Sequence, residues 1–119
     1  MPSSRPPTRF LDILDSIQLI RGNLKGMDRA AFEADSRTRD AVERCLERLS
    51  EAATKLGSRA DELAPGPPWP AVKAFGNVPR HAYDQGEPSR IWEIATGDLP
   101  QMVVAVEAAL QRLDQAGDL

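Results

Sequence analysis

The most promising reactive side chains in this sequence surround its only histidine. His81 directly follows Arg80, and Tyr83 comes two residues later. An imidazole can take a proton from a ribose 2′-hydroxyl or give one to a leaving oxygen. A guanidinium can hold a phosphate and its developing charge by paired hydrogen bonds. These residue types fit RNA cleavage without a metal ion. The alternative interpretation is a histidine that is structural or simply exposed.

Other reactive residues form no recognisable site. One Cys and one His on different segments match no structural zinc spacing, and no Gly-rich phosphate loop follows a strand. We therefore expect neither a metal nor a cofactor. The single Cys45 excludes an internal disulfide and fits a reducing compartment.

Three glutamates recur at four-residue spacing along the longest predicted helix: Glu43, Glu47 and Glu51. Arginine and lysine residues are interleaved with them. Such a mixture of charges is typical of a solvated helix face, which is the interpretation we adopt for all three. Glu51 and Lys55 are also correctly ordered for an ion pair within the helix.

The composition indicates a single helical domain. The chain has 119 residues, of which 41% are hydrophobic, 28% charged and 5% aromatic, with a net charge of -3. Abundant Leu and Ala with few β-branched runs favour helices over strands. The acidic balance argues against broad non-specific binding of nucleic acid, although a local basic pocket remains compatible with an RNA substrate. The sequence shows neither a membrane-spanning run nor a secretory signal, so we expect a cytoplasmic protein.

Hydrophobic spacing predicts the elements that position the histidine segment. A loose tail covers residues 1–8. A first helix follows, with the core positions Phe10, Ile13, Leu14, Ile17, Ile20 and Leu24. Asp28 caps a short turn carrying Phe32. The longest helix runs from about Ser36 to Leu56, where Gly57 stops it, and has the core positions Val42, Cys45, Leu46, Leu49, Ala52, Ala53 and Leu56.

The C-terminal half alternates helices with breaking sequences. Residues 64–68 are an abrupt connector rich in proline, and a helical segment begins at Pro68. A short helix with Ile91, Trp92 and Ile94 comes after the histidine segment. Asp98 is then predicted to cap a last helix with the core face Leu99, Val103, Val106, Leu110 and Leu113. The fold class is all-α, an up-and-down bundle of four to five helices.

Five stretches, in chain order, resemble one known family. They are residues 9–17, residues 32–44, Ser50 to Ala53, the pair Pro68 and Trp69, and Ile91 to Ile94 with Asp98 to Pro100. Together they resemble the HepT-like toxins of the HEPN superfamily, whose partners are minimal nucleotidyltransferase (MNT) antitoxins. The resemblance implies a HEPN-like domain over residues 9–115 that forms a homodimer, and a metal-independent endoribonuclease.

The family motif is an arginine, four residues, a histidine, one residue and a tyrosine, placed twice at a cleft of the dimer. On this chain His81 matches the motif histidine, Tyr83 the tyrosine and Asn77 the asparagine often found after the arginine. In some family pairs the MNT partner neutralises the toxin by adding AMP to the tyrosine. Tyr83 is thus a candidate for AMPylation or substrate contact, and packing in the core is its alternative role.

Gly76 stands where the motif has arginine, and Pro79 is also unexpected there. A glycine cannot stabilise phosphate charge, and Pro79 removes a helical hydrogen bond. We expect the helix to kink or end around residues 76–78. Arg80 lies one helical turn beyond position 76, so we hypothesise that it replaces the missing arginine. The alternative is that Arg80 is a surface cation.

Three functions remain open from the sequence. The first is the toxin of a HEPN–MNT pair that cleaves RNA. The second is a catalytically inactive HEPN dimer that binds a nucleotide or a nucleotidyltransferase. The third is a helical interaction protein without a nucleic-acid role. Trp69 and Trp92 are expected in the core or a dimer contact rather than under stacked bases.

Overall fold

Three long helices form the frame of the fold. The computed structural model describes residues 5–75 and 87–117. The long helices are α1 (Pro6–Leu24), α3 (Ser36–Leu56) and α7 (Leu99–Gln115), and the short ones are α2 (Arg29–Ala34), α4 (Arg59–Leu63), α5 (Trp69–Ala74) and α6 (Glu87–Glu93). A π-helical segment, Ile94–Asp98, joins α6 to α7. The described residues contain no strand, so the predicted all-α class is confirmed.

Helix α1 packs against both α3 and α7. Arg5 and Pro6, at the start of α1, line one depression together with Arg59 and Leu113. Arg59 follows the end of α3, and Leu113 lies near the end of α7. Helix α1 therefore runs antiparallel to both of its long neighbours, as expected for an up-and-down arrangement.

The buried faces of α1 and α3 follow the predicted stripes. Phe10, Ile13, Ile17 and Ile20 of α1 are fully buried, while Leu14 and Leu24 are partly buried at the edge. The seven predicted core positions of α3 are all buried. Such close-packed apolar surface is the main favourable term in the folding of a domain of this size.

Local capping sets the ends of α2 and α3. The Asp28 carboxylate accepts a hydrogen bond of 2.8 Å from the Ala31 backbone at the start of α2, as predicted. Asp35 does the same for α3 through the Thr38 backbone, at 3.1 Å. Gly57 ends α3 with a φ of 59°, a conformation that costs little only for glycine. The predicted bounds of α3 are therefore confirmed.

Two predicted boundaries were wrong. Helix α1 begins at Pro6, earlier than the predicted start after Thr8, because a proline lacks only an N–H that the first turn leaves unused. Asp98 was predicted to cap α7, yet its backbone is helical and its side chain makes no capping bond. The π-helical segment carries the chain into α7 without a break. The buried face of α7 also differs from the predicted one. Met102 and Ala109 are buried, whereas Val103 and Leu110 are only partly buried.

None of the described helices is both long and apolar enough to cross a lipid bilayer.

Candidate active site

The predicted site residues lie outside the described residues. They are Gly76, Asn77, Arg80, His81 and Tyr83, together with the unexpected Pro79. The structure describes the two helices that flank them, α5 before and α6 after. Contacts of these two helices with the rest of the fold fix where the chain leaves α5 and where it enters α6.

Helix α5 is anchored by buried side chains at both ends. Trp69 and Val72 are almost completely buried, and Phe75 is 7% exposed directly after the helix. The Trp69 indole N–H donates a 2.8 Å hydrogen bond to the Ala64 carbonyl. Its indole is therefore a core group with its polar atom satisfied, as predicted for this tryptophan. A helix of six residues gains its stability from such packing rather than from its own hydrogen bonds.

Two further bonds tie α5 to α3. The Ser50 hydroxyl donates to the Lys73 carbonyl at 2.5 Å, and the Lys73 ammonium donates to the Gly57 carbonyl at 3.1 Å. The α5 helix ends at Ala74, so the predicted break of the helix comes slightly before position 76. The C-terminal end of α5 therefore lies beside Ser50 of α3.

Helix α6 is held against α2. Ile91 is 1% exposed, and the rings of Trp92 and Phe32 lie 5.6 Å apart in a tilted arrangement. This geometry is one of the favoured aromatic contacts and fits the structural role expected of Trp92. The Thr96 hydroxyl of the π-helical segment donates to the Trp92 carbonyl of α6 at 2.8 Å. Both flanks of the histidine segment are thus attached to the core.

One acidic residue departs from the predicted solvated face. Glu43 is only 8% exposed, Glu47 is half-buried, and Glu51 conforms to the prediction with 67% of its side chain exposed. The Glu51 carboxylate pairs with the Lys55 ammonium at 3.2 Å, as expected. The sequence signal that could have indicated burial is the position of Glu43 directly beside the apolar pair Val42 and Leu46. The spacing of residues along the chain does not show which other element covers the side of α3 that carries Glu43.

Cys45 is not an activated nucleophile. Its side chain is 6% exposed, and burial raises the pKa of the thiol, an effect that nearby Arg48 and Arg44 oppose only in part. A raised pKa keeps the sulfur protonated at neutral pH, and a thiol reacts chiefly as its thiolate. Cys45 therefore acts as a buried core residue of α3 and is not a candidate catalytic residue.

Comparison with known proteins identifies the family. The family model described as “Ribonuclease HepT-like” matches residues 13–109. The chain is 30% identical to “Putative RNase MJ1380” of Methanocaldococcus jannaschii, over 88% of this chain and 97% of that protein. It is 26% identical to “Putative RNase MJ0125” of the same organism, over 97% of this chain and 99% of that protein. No solved structure matches significantly. The family match spans most of the sequence and includes α2 to α6 with most of α1 and α7, so the chain belongs to the HepT-like ribonuclease family.

Proposed function

We propose that this protein is a metal-independent endoribonuclease and the toxin of a HEPN–MNT toxin–antitoxin pair. The observation that carries the proposal is the family match over residues 13–109, which includes α2 to α6, most of α1 and α7, and the segment between α5 and α6. Both relatives, which are named as putative RNases, are matched over nearly their full length. RNA is the substrate, and the cytoplasm is the proposed location.

The proposed reaction uses the 2′-hydroxyl of the RNA itself. Its oxygen attacks the neighbouring phosphorus while the bond from phosphorus to the 5′-oxygen breaks. One group removes the 2′-hydroxyl proton, and another gives a proton to the leaving 5′-oxygen, which yields a 2′,3′-cyclic phosphate and a 5′-hydroxyl. His81 is the residue of this chain suited to either transfer near neutral pH.

A homodimer fits this chemistry better than a monomer does. Each chain has one histidine, so a monomer brings one imidazole to a reaction with two proton transfers. A cleft between two copies would supply two, one as base and one as acid. The family resemblance implies the same arrangement, with Tyr83 and Asn77 beside each histidine and Tyr83 accessible to AMPylation by the MNT partner. AMP there would add bulk and negative charge that repel RNA.

Gly76 makes Arg80 the proposed phosphate ligand. Loss of one transition-state hydrogen-bond donor commonly costs roughly 10²–10³ in rate, so a working enzyme needs a cation to replace the motif arginine. Arg80 is adjacent to His81 in the sequence. Gly76 also supports the second candidate function, a catalytically inactive dimer that binds a nucleotide or the nucleotidyltransferase.

The test is RNA cleavage by purified protein in EDTA, with the ends of the products analysed. We expect cleavage in the wild type, its loss in His81→Ala, and 2′,3′-cyclic phosphate ends. Arg80→Ala should lose most activity, whereas Arg90→Ala, which removes an exposed arginine of α6, should retain it. A folded wild-type dimer that cleaves no more RNA than His81→Ala would refute the ribonuclease and favour the binding module.

A further inference from the structure

The surface of α3 separates charges that alternate in the sequence. Glu43 is only 8% exposed and Glu47 is half-buried, whereas Arg37, Arg44 and Arg48 are all exposed. Burial therefore withdraws acidic groups of this helix from water and leaves its arginines at the surface. The exposed side of α3 is thus more basic than the sequence of the helix suggests.

The three exposed arginines form one row along the helix. Residues four and seven positions apart share a helix face, so Arg37, Arg44 and Arg48 lie on the same side of α3. Arg44 is about 6 Å along the helix axis from Arg48 and about 10 Å from Arg37. Cations at such steps can follow the phosphates of one nucleic-acid strand, because the strand is flexible and arginine side chains are long.

The row keeps a positive charge in an acidic protein. Among the described residues, no ion pair engages any of its three arginines. Of the two exposed carboxylates of α3, Glu51 is paired with Lys55 at 3.2 Å, and Asp40 lies one turn before Arg44. Since the whole chain has a net charge of -3, this row is a local concentration of positive charge.

The row ends at a depression between α1 and α3. Its volume is about 300 Å³, and Arg48, Arg9 and Ser16 are among the residues that line it. Ser16 is only 4% exposed, and no hydrogen bond within the described part of the chain engages its hydroxyl. A buried hydroxyl is normally satisfied by a partner, so this one is available to a ligand. Two carboxylates also line the depression: Asp12 is paired with Arg9 at 3.1 Å, and Asp15 is exposed, so water screens its charge.

We propose that Arg37, Arg44 and Arg48 bind phosphates of a single RNA strand, and that the Ser16 hydroxyl donates a hydrogen bond to the strand where it enters the depression. Guanidinium groups suit this task because each presents several donors to phosphate oxygens. Such contacts position a strand without reading its bases, so the surface accepts RNA of any sequence. The inference rests on the proposed RNA substrate, whereas the binding can be measured without any cleavage.

The experiment is a fluorescence anisotropy titration with a labelled single-stranded oligoribonucleotide. Every 2′-hydroxyl of this probe is methylated, so that the proposed reaction cannot cleave it. Binding is measured from low to high salt for the wild type, for Arg44→Gln with Arg48→Gln, and for Arg21→Gln with Arg59→Gln. The second pair is the matched control, because it removes two exposed arginines from α1 and α4 with the same change in net charge.

The salt dependence gives the expected result. The substitutions at Arg44 and Arg48 should weaken binding roughly tenfold at moderate salt, and the control pair should bind like the wild type. They should also reduce the slope of log affinity against log salt by about 1.4, since each phosphate contact of a single strand contributes about 0.7. With unmodified RNA, the same pair should raise KM with little change in kcat, because its contacts hold substrate and transition state alike.

Two further variants separate the charge from the fold, with circular dichroism confirming the helicity of each. Arg44→Lys with Arg48→Lys keeps both cations and should retain the slope of the wild type. Ser16→Ala removes a neutral donor and should weaken binding about fivefold at every salt concentration without changing the slope. An unchanged affinity in Ser16→Ala overturns the role of the depression.

Two results overturn the role of the row. One is a wild type that does not bind the probe at low salt, which leaves the row to an acidic protein partner. The other is an equal loss of binding in the arginine pair and its control, which shows only a response to net charge. Binding that depends on the row in a protein that cleaves no unmodified RNA supports the row and refutes the ribonuclease, so the two failures are distinct.

Discussion

Replacing Ser50 by alanine tests whether the hydrogen bond between α3 and α5 stabilises the packing of α5 on α3. Ser50 is 6% exposed, and its hydroxyl is bonded to the Lys73 carbonyl. Removing the hydroxyl loses the hydrogen bond and leaves the part-buried Lys73 carbonyl without this donor. Together these effects lower the free energy of unfolding by about 1–2 kcal/mol. Alanine is a better helix former than serine and returns up to about 0.7 kcal/mol. We expect the free energy of unfolding to fall by about 1 kcal/mol.

The assay is urea denaturation followed by circular dichroism, with Thr54→Ala as the matched control. The Thr54 hydroxyl donates to the Ser50 carbonyl within α3, and its side chain is exposed, so its removal should change the free energy of unfolding by less than about 0.5 kcal/mol. Thermal unfolding of Ser50→Ala should show a midpoint lower by about 3–8 °C. Equal losses in the two variants, or none in Ser50→Ala, would refute the reasoning that this inter-helix bond holds α5.

Three further predictions concern a buried indole, a helix cap and a buried thiol. Trp69→Phe removes the indole bond to the Ala64 carbonyl and part of a buried ring, and should lower the free energy of unfolding by about 2–3 kcal/mol in the same denaturation assay. The hydrogen bond from the Thr38 backbone lowers the pKa of Asp35 below its ordinary 3.8, so its stabilising effect is present above that pH and is lost as the pH falls further. Asp35→Asn keeps a capping oxygen without a titrating charge, so its melting temperature should approach that of the wild type as the pH is lowered from 5 to 3, and a constant difference would contradict this. Burial of Cys45 and the raised pKa of its thiol predict slow modification by a thiol reagent in the native protein and fast modification in urea, and equal rates would contradict that burial.

Local sequence information was sufficient to predict a helix where nearby residues determine its two ends and its buried face. The bounds of α3 were predicted because its apolar residues repeat with helical spacing and Gly57 stops the helix. Asp28 was recognised as the cap of α2 because an aspartate just before a helix can accept a hydrogen bond from the backbone of its first turn. The family resemblance, later confirmed by the match over residues 13–109, also came from short motifs in a fixed order.

Local signals failed where neighbouring elements decide the outcome. Asp98 has the residue type of a helix cap, yet the π-helical segment that joins α6 to α7 continues the helical backbone through that position. Met102 and Ala109 are buried in place of Val103 and Leu110 after that segment. The predicted roles of His81, Arg80 and Tyr83 stay predictions, because these residues lie outside the described part of the chain.

The sequence by itself determined the helical class, the bounds of the longest helix, the core stripe and the family, because each depends on spacing along the chain. Only the tertiary structure decided which flank of α3 is covered. Glu43 and Glu51 look alike in the sequence, yet the first is buried and the second faces water. The burial of a charge depends on what packs over it from distant parts of the chain, and helical periodicity carries no information about that partner.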